Sequence, residues 1–159
     1  MGNQELQVSF DEVREKNVEQ LKMLNNIVFP IKFPDSVYKD CLQFPDMTQM
    51  AYHNDVAVGG VAARCEKQAS GRVRCYIATL AVLAPYRSYG IGARLLAKVV
   101  AAASADANID EVAVHVQADN EEARKFYERH GFAVVETVKD YYKRLECTDA
   151  LLLAKKLAR

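Results

Sequence analysis

Residues 83–93, Leu-Ala-Pro-Tyr-Arg-Ser-Tyr-Gly-Ile-Gly-Ala, constrain this chain more than any other segment. An apolar run ends at Leu83, Pro85 turns the chain, and a helical pattern opens at Ile91. Gly90 and Gly92 let the backbone approach a ligand with no side chain in the way. The first amides of a helix have no intrahelical acceptors and lie at the positive end of the dipole, which suits a diphosphate. Arg87 can add a charge-assisted contact. A Walker A loop needs Gly-Lys-Ser/Thr, but Ala93-Arg94 follows Gly92; a dinucleotide fingerprint needs a glycine where Leu95 stands. What remains is Arg-x-x-Gly-x-Gly, from Arg87 to Gly92. Such a turn also joins strand to helix where no ligand binds, so the pattern by itself leaves both readings open.

The periodicity around it predicts a mixed α/β (α+β) sheet, part antiparallel and part parallel. Leu6, Val8 and Phe10 alternate as a strand. Val13, Val18, Leu21, Met23, Leu24, Ile27 and Val28 then fall near helical spacing, with Asp11 as the cap, until Pro30 and Pro34 end the run. Asp35 or Ser36 can cap a second, short helix carrying Val37, Tyr38, Cys41 and Leu42. Strands follow over 48–53 and 56–65, joined at Asn54-Asp55, and over 73–83 after a polar loop. Residues 91–105 read as a helix with Ile91, Leu95, Leu96, Val99, Val100 and Ala103 on one face. Val112, Val114 and Val116 alternate as a strand. Asn120 caps a helix with Glu121 and Glu122 in its first turn, Arg129 and His130 in its last, and Gly131 at C′. Strands over 133–138 and 151–157 bracket Tyr141-Tyr142. With no repeat or linker, residues 1–159 read as a single domain.

Lys plus Arg equals Asp plus Glu, at 21 each, so the zero net charge argues against a nucleic acid or an anionic membrane as partner. The four cysteines form no C-x-x-C pair and have no histidine at metal-ligand spacing, which predicts reduced, mostly buried thiols and no metal. The start, MGNQELQVSF, lacks the pattern of a signal peptide, and Leu6 stands where myristoylation needs Ser or Thr. No apolar run approaches membrane-spanning length. The expected location is the cytoplasm, with the nucleus as a second site.

The segment from Arg87 to Gly92 resembles the acetyl-CoA motif of the GNAT acetyltransferases, R/Q-x-x-G-x-G/A. Downstream, Asn120-Glu121-Glu122-Ala123-Arg124-Lys125-Phe126-Tyr127-Glu128-Arg129-His130-Gly131-Phe132 resembles their N-x-x-A-x-x-F-Y-x-x-x-G-F helix. Residues 29–31, 76–80, 83–87, 114–117 and 141–144 are similar to the catalytic subunits of NatE-type N-terminal acetyltransferases, so the resemblance covers nearly the whole chain. It implies a GNAT fold: a seven-stranded mixed sheet splayed between strands 4 and 5, with four helices. It implies acetyl transfer from acetyl-CoA to protein N-termini, with Met and then an apolar residue preferred, by direct attack. It also implies a large helical auxiliary subunit and a sister catalytic subunit at the ribosome.

By the same resemblance, backbone groups of Leu80, Val82, Arg87, Ser88, Tyr89, Gly90, Ile91, Gly92 and Ala93 hold the cofactor, helped by Asn120 and Tyr127. Tyr76 and His115 polarise a water that serves as base. Phe29, Pro30, Ile31, Phe33, Ala78, Tyr141 and Tyr142 receive the peptide. Taken alone, a histidine in an apolar strand reads as a core residue, and the tyrosine pair as a packed hinge; only the family positions favour function. Tyr127 is either a core residue or the proton donor to the departing thiolate. Phe33 and Ala78 depart from the tyrosine and methionine usual in the family, which predicts a roomier pocket with looser sequence preference. An α-amine has a pKa of about 8 and a lysine about 10.4, so near pH 7 the lysine costs roughly 3 kcal/mol more to neutralise. That favours an N-terminus over the alternative, a lysine ε-amine. A non-catalytic acetyl-CoA-binding subunit is the other alternative.

Overall fold

The structure is a computed structural model that describes residues 6–142, 145 and 147–159. Lys143 and Arg144 of the motif at 141–144 lie outside the described residues, as do residues 1–5. In chain order the elements are β1 (Ser9–Glu12), α1 (Val18–Val28), α2 (Asp35–Cys41), β2 (Gln49–His53), β3 (Val56–Lys67), β4 (Val73–Val82), α3 (Ile91–Ser104), β5 (Ile109–Gln117), α4 (Glu121–Arg129), β6 (Ala133–Val138) and β7 (Ala150–Lys156). Single 3-10 turns stand at Pro45–Met47 and Ala84–Tyr86. The strands form a seven-stranded sheet in the order β1-β2-β3-β4-β5-β7-β6. β4 and β5 are parallel, whereas β1–β2, β2–β3, β5–β7 and β6–β7 are antiparallel. The register of β4 on β5 ends at Ile77↔Val114, although β4 itself continues to Val82. This is the parting of strands 4 and 5 that the resemblance predicts.

The chain divides into two compact units. The first comprises Met1–Arg64 and Ala78–Ala102. Its helices pack where two adjacent glycines of β3 make room on opposite faces. A Cβ on Gly59 would lie 3.2 Å from Ile91 Cγ2 and 3.3 Å from a Leu95 methyl, both on α3. One on Gly60 would lie 2.8 Å from a Leu21 methyl and 3.3 Å from one of Leu24, both on α1. Successive strand residues face opposite sides, so the glycine pair serves both helices. Leu21, Leu24, Met50, Cys41 and Tyr38 are buried together in this core. Each large apolar side chain buried there stabilises the fold by about 1.5–3 kcal/mol. The β2–β3 turn forms as the sequence predicts, with Asn54 and Asp55 at φ 50° and 65°.

Three local expectations fail in this unit. Asp11 does not cap α1, because it pairs with Met50 in the β1–β2 ladder. The helix starts after Asn17 instead, whose side chain accepts from Arg14 N–H at 2.7 Å and donates to Glu12 C=O at 3.0 Å. That bridged turn consumes residues which the periodicity assigned to the helix. Met23 and Ile27, expected on the apolar face, are 65% and 70% exposed, because the face that packs runs through Val18, Leu21 and Leu24. Neither Asp35 nor Ser36 caps α2: Pro34 holds that position with no side-chain bond.

The second unit comprises Cys65–Ile77 and Ala103–Arg159. Val112, Ala113, Val114 and Val116 of β5 are all buried, so this strand is covered on both faces. α4 is bounded as its sequence requires. Asn120 Oδ1 accepts from Ala123 N–H at 3.1 Å, and Gly131 takes φ 89°. Lys155 Nζ donates to His130 C=O at 3.0 Å, which satisfies a carbonyl at the helix end. The Arg159 guanidinium donates to the carbonyls of Ala103, Ser104, Asp106 and Ile109, closing the turn between α3 and β5. The four cysteines are free thiols; Cys41 and Cys75 are buried, while Cys65 and Cys147 are only half-buried.

Gly60→Ala places its methyl against Leu21, which is fully buried and has little room to yield. The expected loss is about 1–3 kcal/mol of stability, read as a fall in the urea midpoint at unchanged m-value.

Candidate active site

Two groups of residues carry chemistry, one in each unit. In the first unit the turn at 83–93 has an open, outward-facing backbone. Arg87 N–H bonds Ala84 C=O at 3.2 Å, and the next bond of this stretch is Arg94 N–H to Gly90 C=O at 3.0 Å. Among the described residues, the amides from Ser88 to Ala93 have no acceptor. Gly90 takes φ 78° with no atom within 4 Å of where a Cβ would stand. Ser88 takes φ 70°, a conformation that costs a non-glycine residue about 1–3 kcal/mol. A strained turn presenting consecutive unpaired amides at a helix start fits a diphosphate.

Just upstream, Leu83 N–H bonds Val58 C=O at 2.8 Å, so residue 83 faces β3. By alternation Val82 turns its N–H and C=O the other way. Its C=O accepts from Arg87 Nε at 3.0 Å. Arg87, predicted as an anion contact, is thus anchored at Nε and keeps its outer nitrogens exposed.

The same unit holds the predicted peptide loop. Phe29 and Phe33 meet edge to face with centroids 5.3 Å apart, and both pack on the α1 core. Pro30 is exposed; Ile31 and Ala78 are half-buried. The loop begins under a fixed residue: Phe29 N–H bonds Asn25 C=O at 2.9 Å, and Asn25 Nδ2 donates to Tyr38 Oη and Thr79 Oγ1, each at 3.2 Å.

In the second unit, β4 and β5 bring Tyr76 and His115 together. Tyr76 Oη lies 2.6 Å from His115 Nδ1 and 3.2 Å from Tyr141 Oη. The His115 ring stacks on Tyr141, with centroids 4.3 Å apart and planes 20° from parallel. Burial, and after it the Arg74 guanidinium, hold the His115 pKa below its ordinary value; Glu66 and Glu136 oppose the shift. In the Nε2–H tautomer of a neutral imidazole Nδ1 is the acceptor; the Tyr76 O–H then donates to it and the Tyr141 O–H donates to Tyr76. Tyr142 lies edge-on to Tyr141, and burial pushes its phenol up to about 12.

Asn120 and Tyr127 belong to α4. Asn120 commits its Oδ1 to the helix cap, leaving Nδ2 for any ligand. Tyr127 is buried between Phe126 and Phe132, and burial drives its phenol far above the ordinary value, so it is protonated throughout the neutral range. Its position serves packing and does not decide between the two roles that the sequence allows.

Sequence reasoning missed Arg74 and Glu66. Arg74 stands two residues before Tyr76 on β4, on the same face, with its guanidinium 5.7 Å from the Tyr76 ring centroid. Its Nε donates to Glu66 Oε1 at 2.9 Å. The Arg-x-Tyr spacing was the available signal.

The chain is similar over most of its length to known proteins. Residues 11–132 match the Acetyltransferase (GNAT) family. The chain is 42% identical to N-alpha-acetyltransferase 50 of Danio rerio over 150 residues, 94% of this chain and 89% of that protein. It is 40% identical to the probable N-acetyltransferase san of Drosophila melanogaster over 152 residues, covering 96% and 82%. Among solved structures, Arabidopsis thaliana Naa50 in complex with the bisubstrate analogue CoA-Ac-MVNAL superposes with a TM-score of 0.87 at 44% identity, covering 93% of this chain and 97% of that one.

The depressed His115 pKa has a consequence for stability. Below its unperturbed value near 6.5 the unfolded chain binds a proton that the folded chain resists, so stability falls as pH drops through that window. His115→Asn removes this contribution. Urea midpoints at pH 7.5 and 5.5 are expected to differ less in the variant than in the wild type.

Proposed function

The chain belongs to the GNAT acetyltransferase family, and on that premise we propose that it is an N-α-acetyltransferase that moves acetyl from acetyl-CoA to the free α-amine of a protein N-terminus. The observation that carries the reading is the Tyr76–His115–Tyr141 cluster, a partly buried chain of hydrogen bonds with an imidazole whose pKa is held below its ordinary value. The full-length likeness to relatives named as N-α-acetyltransferases, and to one bound to a molecule joining coenzyme A to a peptide, supports it.

Acetyl-CoA supplies an activated acyl group as a thioester. The unpaired amides from Ser88 to Ala93 hold its diphosphate, and Arg87 offers further donors. Val82 N–H, turned away from β3 where β4 has lost its parallel partner, is the donor for negative charge developing on the acyl oxygen. The incoming amine must be neutral to attack. Its proton passes through a water to the Tyr76 oxygen while the Tyr76 proton moves to His115 Nδ1, and direct attack follows with no covalent enzyme intermediate. Tyr127, protonated at neutral pH, is the candidate donor to the departing thiolate.

Phe29, Pro30, Ile31 and Phe33 form the apolar wall for the first side chains, with Tyr141 and Tyr142 as polar-tipped aromatic partners for the peptide backbone. Met followed by an apolar residue is the preferred start. Phe33 lacks the hydroxyl of a tyrosine, and Ala78 leaves more room than a methionine, so the preference is looser. The enzyme works in the cytoplasm, with the nucleus as a second site, beside a large helical subunit and a sister catalytic subunit at the ribosome; its net neutrality suits neither nucleic acid nor membrane.

Acetyl transfer from labelled acetyl-CoA to peptides varying the first two residues tests this, with each N-terminus free or blocked. Acetylation of free N-termini alone is expected. Acetylated internal lysines on blocked peptides would make it a lysine acetyltransferase; cofactor binding without turnover would make it a non-catalytic subunit. His115→Ala is expected to fold and to lose most of the turnover, about 10²–10⁴-fold for a lost general base. Peptides starting with residues other than methionine are expected to react, and a strict demand for Met would refute the roomier pocket.

A further inference from the structure

We propose that Arg74 and Glu66 are a positioning pair for the Tyr76–His115 relay: Glu66 holds the Arg74 guanidinium against the face of Tyr76, and the charge fixed there keeps the imidazole free to accept a proton. The inference rests on the acetyltransferase reading and assigns a function to two residues that belong to neither sequence motif.

Three geometric observations carry it. Arg74 and Tyr76 share a face of β4, and the guanidinium carbon lies 5.7 Å from the ring centroid, within the range where a cation is drawn to a ring face. Glu66, across the hairpin from Arg74, takes its Nε at 2.9 Å. Both side chains are largely covered, at 21% and 28% exposure, so the pair is less screened by salt than a surface pair. Arginine's planar fork can bond a carboxylate at one edge while its face lies on a ring, which lysine cannot do.

A cation at the Tyr76 ring favours release of the phenolic proton and disfavours a second positive charge on His115. Both effects set the relay in its starting state, with the tyrosine donating and the imidazole accepting. The other groups facing His115 are Glu66 from β3, Glu136 from β6, and Tyr76 and Tyr141; in the ladder β7 places Leu152 opposite it. The two carboxylates favour the imidazolium, and only Arg74 among the charged groups opposes it. Losing Arg74 therefore raises the His115 midpoint, whereas losing Glu66 removes a carboxylate and releases the cation, two effects of opposite sign; a lysine at 74, which keeps the charge without the planar fork, separates placement of the cation from its mere presence.

NMR titration of the His115 ring proton, assigned by its loss in His115→Asn, is combined with steady-state kinetics on a free N-terminal peptide. Arg74→Gln is expected to raise the His115 midpoint. Glu66→Gln is expected to move it less, because the lost carboxylate and the released cation act in opposite senses. Both variants are expected to reduce kcat several-fold while the KM for acetyl-CoA stays constant. Arg74→Lys is expected to restore the midpoint and only part of the rate. An unmoved midpoint in Arg74→Gln, a wild-type rate in Arg74→Lys, or wild-type kcat in both neutral variants would overturn the proposal. A wild type that acetylates no free N-terminus would overturn the enzymatic reading, while the titration would still decide whether Arg74 governs His115.

Discussion

Strand β4 outlasts its parallel partner, and the candidate chemistry depends on that. Backbone N–H and C=O groups in a folded protein must find partners, so a strand that loses its neighbour midway leaves a row of groups to be satisfied otherwise. Past Ile77 the ladder with β5 has ended, yet β4 runs on to Val82. Leu83 turns its N–H to Val58, which leaves Val82 facing away from β3, with its C=O taken by the Arg87 side chain. Arginine here does the work of a missing strand, and it does so at the first residue of the glycine turn. On the proposed reading the Val82 N–H, turned the same way, is the donor offered to the acyl oxygen.

The second unit solves a different problem, how to keep a histidine neutral beside carboxylates. Glu66 and Glu136 both draw a proton to His115, and an exposed imidazole among them would charge readily. Desolvation outweighs them, and the Arg74 cation adds to it. Stacking on Tyr141 supplies much of the cover while leaving Nδ1 in the plane of the ring to meet Tyr76. On the proposed reading a base of this kind is weak, which suits an amine whose pKa lies about one unit above neutral better than a lysine more than three units above it.

The sequence displayed the elements whose signals are local. Asn120 and Gly131 bound α4 through bonds and dihedrals within a few residues, and Asn54-Asp55 turns by its own φ preference. The outward-facing amides of the glycine turn were legible for the same reason, since unpaired amides follow from a helix start alone. The failures lie where long-range contacts decide. Asp11 is an adequate helix cap until β2 offers Met50 as a ladder partner. Met23 and Ile27 fit a broad helical stripe, but the narrow face admitted by Gly60 takes Leu21 and Leu24 instead. Tyr76 and His115 were placed by resemblance, since nothing in the spacing of residues 76 and 115 says that two strands will set them 2.6 Å apart. Arg74 went unread because its meaning lies in Glu66, across a hairpin whose register the sequence does not state.

The apolar loop at Phe29 shows why a binding surface can rest on a polar core. Asn25 is fully buried in the last turns of α1, and its Nδ2 reaches Tyr38 on α2 and Thr79 on β4. Its Oδ1 has no partner among the described residues, at a cost of about 1–3 kcal/mol. A leucine of similar size would remove that cost and pack against Leu21 and Leu24. It would also remove the hydrogen bond that ties the end of the helix to Thr79, the strand residue beside Ala78. Apolar contacts tolerate sliding, whereas hydrogen bonds to two fixed oxygens do not. Since Phe29 N–H hangs from the Asn25 backbone carbonyl, the residue that Tyr38 and Thr79 hold by its side chain is also the one from which the Phe29–Phe33 aromatic pair departs. The unpaired oxygen is the cost of fixing the start of that loop with Nδ2.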